Sequence, residues 1–136
     1  MIHNRKPAHR TRRRGAALVE FAVCLPVLMI LILGSMEASS VIFLKQSLHS
    51  AAYEGIRAAV INNGTDATAM SAATNVLTSR NIRNSRVVFT PASIVTAARG
   101  ERVTIEVSAS ASANSPFMGR VIPDRQITVR LVMIKE

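Results

Sequence analysis

Residues 10–34 read "RTRRRGAALVEFAVCLPVLMILILG", and the fold follows from how that stretch is taken. Arg10, Arg12, Arg13 and Arg14 run into a single glycine, Gly15. Behind it come eighteen residues, 16–33, of nearly continuous hydrocarbon, broken by one acid, Glu20. As a helix this run covers roughly 27 Å at about 1.5 Å per residue. That is close to the ~30 Å hydrocarbon core of a bilayer. A core helix of a soluble protein carries a polar stripe, and this run has none. The stretch is therefore expected to span a membrane.

The charge distribution gives the span a direction. The net charge is +9, and six of the 17 basic residues fall in residues 1–15, where there is no acid. The other 11 stand against 8 acids, so the basic character belongs mostly to one tail. Lys and Arg beside a span stay on the cytoplasmic side. Arg12, Arg13 and Arg14 thus set the N-terminus in the cytoplasm and residues from about 37 onward outside. A basic tail can also bind nucleic acid, but the apolar run directly after it favours the membrane, and no nucleic-acid partner is expected. A cleaved secretory signal fits poorly. It needs small residues at −3 and −1, and Met36 would stand at −3 if Ala38 were −1.

Past the span the helical period continues. Val41, Leu44, Leu48, Ala52, Ile56 and Ala59 form one stripe, with Lys45, His49, Glu54 and Arg57 mostly off it. One long helix over residues 16–61 is expected, half in lipid and half an amphipathic stalk. Pro26 inside it removes a backbone hydrogen bond and should kink or loosen it. "NNG" at 62–64 ends the helix. Thr65 or Asp66 can cap a second, shorter helix whose apolar face is Ala69, Met70, Ala73, Val76 and Leu77. Asn63-Gly64-Thr65 also spells a glycosylation sequon, but a turn plus an N-cap explains those residues better.

From Arg86 the period becomes two. "RVVF" opens a strand that Pro91 ends or bends. In "ERVTIEVSASA", Val103, Ile105, Val107 and Ala109 share one face, while Thr104, Glu106 and Ser108 share the other. "QITVRLVMIKE" aligns Ile127, Val129, Leu131 and Met133. The expected fold class is α+β: a long N-terminal helix, a short second helix, then about three antiparallel strands that bury one face on the helices.

Catalytic chemistry finds little purchase here. His3 and His9 lie in the basic tail and His49 stands alone, so no nucleophile–base pair is visible. The single cysteine, Cys24, excludes an intrachain disulfide and a multi-cysteine metal site. In hydrocarbon its thiol behaves as a small apolar group. No metal, cofactor or enzymatic activity is expected. Arg80, Arg83 and Arg86 are spaced by three; they read as a solvated linker before a strand, or as a patch for anionic headgroups or an acidic partner.

A short basic leader, then Gly15, then an apolar helix with Glu as its fifth residue resembles a type IV prepilin. Across residues 15–59 the pieces "GAALVEFA", Leu25-Pro26, Glu37 after the span and "AAYEGIRAA" look like the TadE-like pseudopilin family of the bacterial tight adherence (Tad/Flp) pilus. The resemblance implies that a membrane prepilin peptidase cuts between Gly15 and Ala16 on the cytoplasmic side. It divides the chain into a leader (1–15), a transmembrane and stalk helix (16–61) and an extracytoplasmic α+β domain (62–136). The implied protein is a single-pass component of the inner membrane, a minor pseudopilin in pilus assembly or initiation. Its implied partners are the peptidase, other pilins and pseudopilins, and the assembly platform, with Glu20 pairing the new N-terminal amine. The alternative is an uncleaved single-pass envelope protein that serves a secretion apparatus as an interaction partner.

Overall fold

Nothing between Pro7 and Pro26 in the sequence stops a helix, and arginine is a good helix former. In the computed structural model, which describes residues 10–61, 63–117, 119 and 123–136 (10–14 by backbone only), helix α1 accordingly runs Arg10–Val60. It begins six residues before the expected start at Ala16 and passes through Gly15 and Pro26 without a break. Proline costs α1 one backbone bond at Pro26, and the helical pairs on either side carry the segment across.

The chain divides into two compact units, one ending at Ser35 and one comprising Met36–Glu136. The second half of α1 is therefore part of the same unit as the second helix and the strands. In the first unit, residues 15–35 are exposed all round the helix, Leu18, Val23 and Ile30 among them.

The second unit grows from the inner face of α1. Leu44, Ser47, Leu48, Ala51, Ala52, Ile56 and Ala59 are buried there. Val41, placed on this stripe by its spacing, is exposed, since it borders an open cleft beside the start of the last strand. Helix α2 (Asp66–Ser79) starts with a capping box: the Thr65 hydroxyl accepts from the Thr68 amide, and the Thr68 hydroxyl accepts from the Thr65 amide. It buries Ala69, Ala73 and Leu77, while Met70 faces outward.

Three strands follow: β1 (Ser85–Thr90), β2 (Arg102–Ser110) and β3 (Gln126–Ile134), with a 3₁₀ turn at Ser112–Asn114 before β3. They form an antiparallel meander in the order β1-β2-β3. Ile105 lies between Phe89 of β1 and Leu131 of β3, and Val107 lies between Val87 and Val129. The period of two is kept strictly: Val103, Ile105, Val107 and Ala109 are buried, and Thr104, Glu106 and Ser108 alternate with them toward the outer face. On that outer face Arg130 pairs with Glu106 at 2.8 Å. Both partners are largely exposed, so the pair contributes about 0–1 kcal/mol.

Gly55 is where α1 meets the rest of the core. A Cβ there would stand 2.7 Å from Ile105 Cδ1, 2.9 Å from Ala73 Cβ and 3.4 Å from the Ala69 carbonyl oxygen. Helix α2 and strand β2 thus close on one hydrogen atom. The irregular segment between β1 and β2 adds Ile94 and Ala97 to the same core. It is fastened to α2 by Asp66, whose Oδ1 accepts from the Ile94 amide at 2.6 Å. Lys135 fastens its other side, donating to the carbonyls of Ile94 (2.5 Å) and Ala97 (3.0 Å). Gly100, at φ +83°, turns this segment into β2.

Gly55→Ala should destabilise the α+β unit by about 1–3 kcal/mol through overpacking, although alanine favours a helix by about 1 kcal/mol. Adding Ile105→Val, which removes the crowding methyl, should restore part of that loss. Ile105→Ala alone should cost about 2–5 kcal/mol, and Thr104→Ala on the other face much less. Chemical denaturation of the full chain in a neutral detergent reads all four. A stabilising Gly55→Ala would contradict the packing.

Candidate functional site

The residues singled out in the first unit lie along α1 at separate positions. Gly15 has no heavy atom within 4 Å of where a Cβ would be. Unlike Gly55, it is not required by packing against any described residue. Glu20 is exposed, five residues on, and carries no ion pair among the described residues. The backbones of Arg12, Arg13 and Arg14 lie in the first turns of α1, and their side chains lie outside the described residues, as do residues 1–9. Ala16, like Gly15, is exposed. Over these first turns, α1 offers an apolar cylinder with one carboxylate near its start. It is long and apolar enough to cross a membrane, and nothing described in the chain buries its most apolar window. No group of three or more metal-binding side chains occurs among the described residues.

Two clefts open on the second unit. The first, about 480 Å³, lies between α1 (Ser39, Ser40, Phe43), the turn after α2 (Arg80 to Arg83) and the 3₁₀ region (Asn114, Pro116). Asn114 ties two of these walls together. Its Oδ1 accepts from the Arg83 amide at 2.8 Å, and its Nδ2 donates to the carbonyls of Arg83 (2.9 Å) and Ser110 (2.8 Å). Arg80 reaches α1, with Nη1 at 3.4 Å from the buried Ser47 hydroxyl. Left-handed backbone at Asn81 and Asn84 (φ +55° and +51°) makes the chain turn sharply at both ends of this segment. Arg86 is not part of this wall; it is an exposed residue of β1.

The second cleft, about 470 Å³, is lined by Glu37, Val41 and Lys45 of α1 together with Arg125 and Ile127. Glu37 Oε2 is buried and has no hydrogen-bond partner among the described residues. Beside this cleft Asp124 organises the connection into β3. Its Oδ1 accepts from the hydroxyls of Ser110 (2.5 Å) and Ser112 (2.7 Å) and from the Ser112 amide (3.3 Å). The Ala111 amide, next to them, donates to the Arg125 carbonyl at 2.8 Å. The Ser110 hydroxyl, then that of Ser112, hold the Asp124 carboxyl below the ordinary carboxylate range. Sequence reasoning passed over Asp124 and read Glu37 only as part of the family resemblance. The signal for Asp124 was its place at the end of a turn-rich loop, where a side-chain carboxylate takes up free donors.

Residues 15–57 match the family model of TadE-like proteins. The match covers most of α1 and stops before α2. No curated protein and no solved structure matches the chain.

The lowered pKa of Asp124 has a definite pH signature. A depressed carboxyl stabilises the fold above its unfolded value, near 3.8, and the contribution is lost as pH falls through the lower folded value. Asp124→Asn should therefore lower the thermal midpoint at pH 7, with the gap from wild type shrinking as the pH drops below 3.8. A gap of constant size across that range would remove the charged-carboxylate role.

Proposed function

We propose that this chain is a minor pseudopilin of a Tad-type pilus, a structural part in assembly or initiation of the filament and not an enzyme. The observation that carries the proposal is the coincidence of the TadE-like segment with α1, whose residues 15–35 no other described part of the chain covers. An apolar helix exposed on every side has to be covered by lipid or by the helices of other subunits. In this reading it is first a single inner-membrane span, N-terminus in the cytoplasm, with the α+β unit outside. Later it is an assembly surface for other pilins and pseudopilins on the assembly platform.

Processing by a prepilin peptidase connects the two states. Hydrolysis of the Gly15–Ala16 bond leaves a carboxylate on Gly15 and an ammonium on Ala16. A glycine with open space round it suits a protease cleft, since the backbone can be approached closely once the first turns of α1 unwind. The new ammonium has an ordinary pKa near 8, so it is charged as the helix enters an apolar bundle. Glu20 of the same or a neighbouring subunit can neutralise it. A mid-span acid otherwise costs roughly 2.5–3.5 kcal/mol, and Glu20 avoids part of that by lying about one turn from the cytoplasmic face. The pair serves register and partner choice more than raw stability, because desolvating both charges offsets much of their attraction.

The uncleaved single-pass reading is supported by one feature, the unbroken helix through Gly15 and Ala16. Intact mass of the protein from peptidase-positive cells separates the two. The chain should begin at Ala16, and Gly15→Val should leave the precursor in the membrane. Glu20→Gln should insert and be cut, yet co-purify poorly with other pilins and lower the pilus count. A native chain still carrying residues 1–15 would refute processing, and normal pili in Glu20→Gln cells would refute the assembly role.

A further inference from the structure

Charge is distributed over the second unit in a way its own contacts do not use. Arg80 and Arg83 line the cleft between α1 and the α2–β1 turn, and no carboxylate lines it. Their backbones are held. Asn114 clamps Arg83 at its amide and carbonyl, and the Arg80 amide donates to the Val76 and Thr78 carbonyls at the end of α2. Arg80 spends one weak bond on Ser47, which leaves most of its five N–H donors free. All 8 acids of the sequence fall among the described residues, and the one ion pair there is Glu106–Arg130. No carboxylate of the same chain therefore neutralises the two guanidinium groups.

The complementary charge stands on α1. Most acids of the second unit are engaged: Asp66 with the Ile94 amide, Glu101 with the Ala98 amide, Glu106 with Arg130, and Asp124 with its serines. Glu37 has one oxygen buried at the other cleft, and Glu136 lies past the end of β3. Glu54 is different. It is exposed in the middle of a helix, and it takes no ion pair among the described residues, not even from Arg57 three positions on. Phe43, which lines the cationic cleft, is eleven residues before it. Eleven residues are close to three helical turns, so the acid and the cleft share one flank of α1, roughly 16 Å apart. Ser50 and Ala58, one turn to either side of Glu54, are small and leave the carboxylate open to a neighbour.

We propose that Glu54 of one copy docks into the Arg80–Arg83 cleft of a second copy, head to tail. Arginine forks match a carboxylate bidentately. The aliphatic stem of Glu54 meets Phe43 and Pro116, which stand beside the cations; Phe43 is half exposed. A free inorganic anion would satisfy the cations and leave that apolar wall unused. Each copy gives an acid to one neighbour and a cleft to another. Such a heterologous contact is not used up in a dimer and propagates into a ring or an open filament. The contact lies wholly within the second unit. It deepens the assembly reading by naming a subunit interface, and its role in a filament rests on that reading.

The test uses the full chain in an uncharged detergent, with sedimentation reading self-association against concentration. Wild type should associate, and less so as salt is raised. Glu54→Gln and Arg83→Gln should each weaken association about tenfold. Arg99→Gln, on an exposed loop, should leave it unchanged. Charge reversal adds a test that loss of folding cannot imitate. Glu54→Arg and Arg83→Glu should each sediment as a monomer. An equal mixture of the two should form a one-to-one pair, because Glu54 of the second variant meets the intact cleft of the first. A mixture that stays monomeric would overturn the contact. So would a monomeric wild type, or equal association by wild type and every variant, which would trace association to the first unit. Cells lacking the chain separate the two readings. Unchanged pilus number there refutes the assembly reading, whereas lost pili together with a monomeric wild type refute only this contact.

Discussion

The fold depends on one missing side chain. At Gly55 the backbone of α1 comes so close to Ala73 of α2 and Ile105 of β2 that no Cβ fits without movement. Ala51, Ala52 and Ala59 continue the same smooth face. Small residues on a helix let neighbours approach its axis, and the gain is dense packing, not area per residue. The sheet can then be only three strands wide and still bury Val103, Ile105, Val107 and Ala109 completely. Because β2 is the middle strand, crowding at Ile105 is felt by both its neighbours.

That constraint splits α1 into two chemical halves. From Gly15 to Ser35 the helix is exposed all round and, Glu20 apart, almost wholly apolar; from Leu44 one face is buried in protein and the other carries Lys45, His49, Glu54 and Arg57. The same backbone hydrogen bonds serve both halves, since a helix satisfies its own polar groups in lipid and in water alike. A single helix can thus anchor a chain and form the spine of a folded unit, and the TadE-like match runs across both halves.

Much of this was legible in the sequence because burial on one face imposes a period. The strict alternation of β2 and the Leu44, Leu48, Ile56 spacing on α1 were readable for that reason. Val41 and Met70 sit on the right spacing yet are exposed, since period alone does not say where a neighbouring element stops. The apolar run marked α1 from Ala16, and the helix continues upstream of it through Gly15 to Arg10 because the arginines there also favour a helix. Gly55 and Ser47 are weak on any hydrophobicity scale, although they are as buried as the leucines. Ile94 and Ala97 enter the core from an aperiodic segment, and no pattern marks them. The convergence of Arg80, Arg83 and Asn114, and the Asp124 network with its serines, arise from tertiary contacts between distant residues. At most the sequence could offer their residue types.

The change of solvent along α1 is tested most directly by cysteine accessibility in intact cells. With Cys24 replaced by alanine, single cysteines are placed at Leu28, Ser39 and His49 and treated with a membrane-impermeant maleimide from outside. Leu28→Cys should stay unlabelled until the membrane is dissolved, while Ser39→Cys and His49→Cys should label on intact protoplasts. Labelling of Leu28→Cys in the intact membrane would show that the apolar half of α1 is not in lipid. Labelling of Ser39→Cys and His49→Cys only after lysis would put the α+β unit on the wrong side.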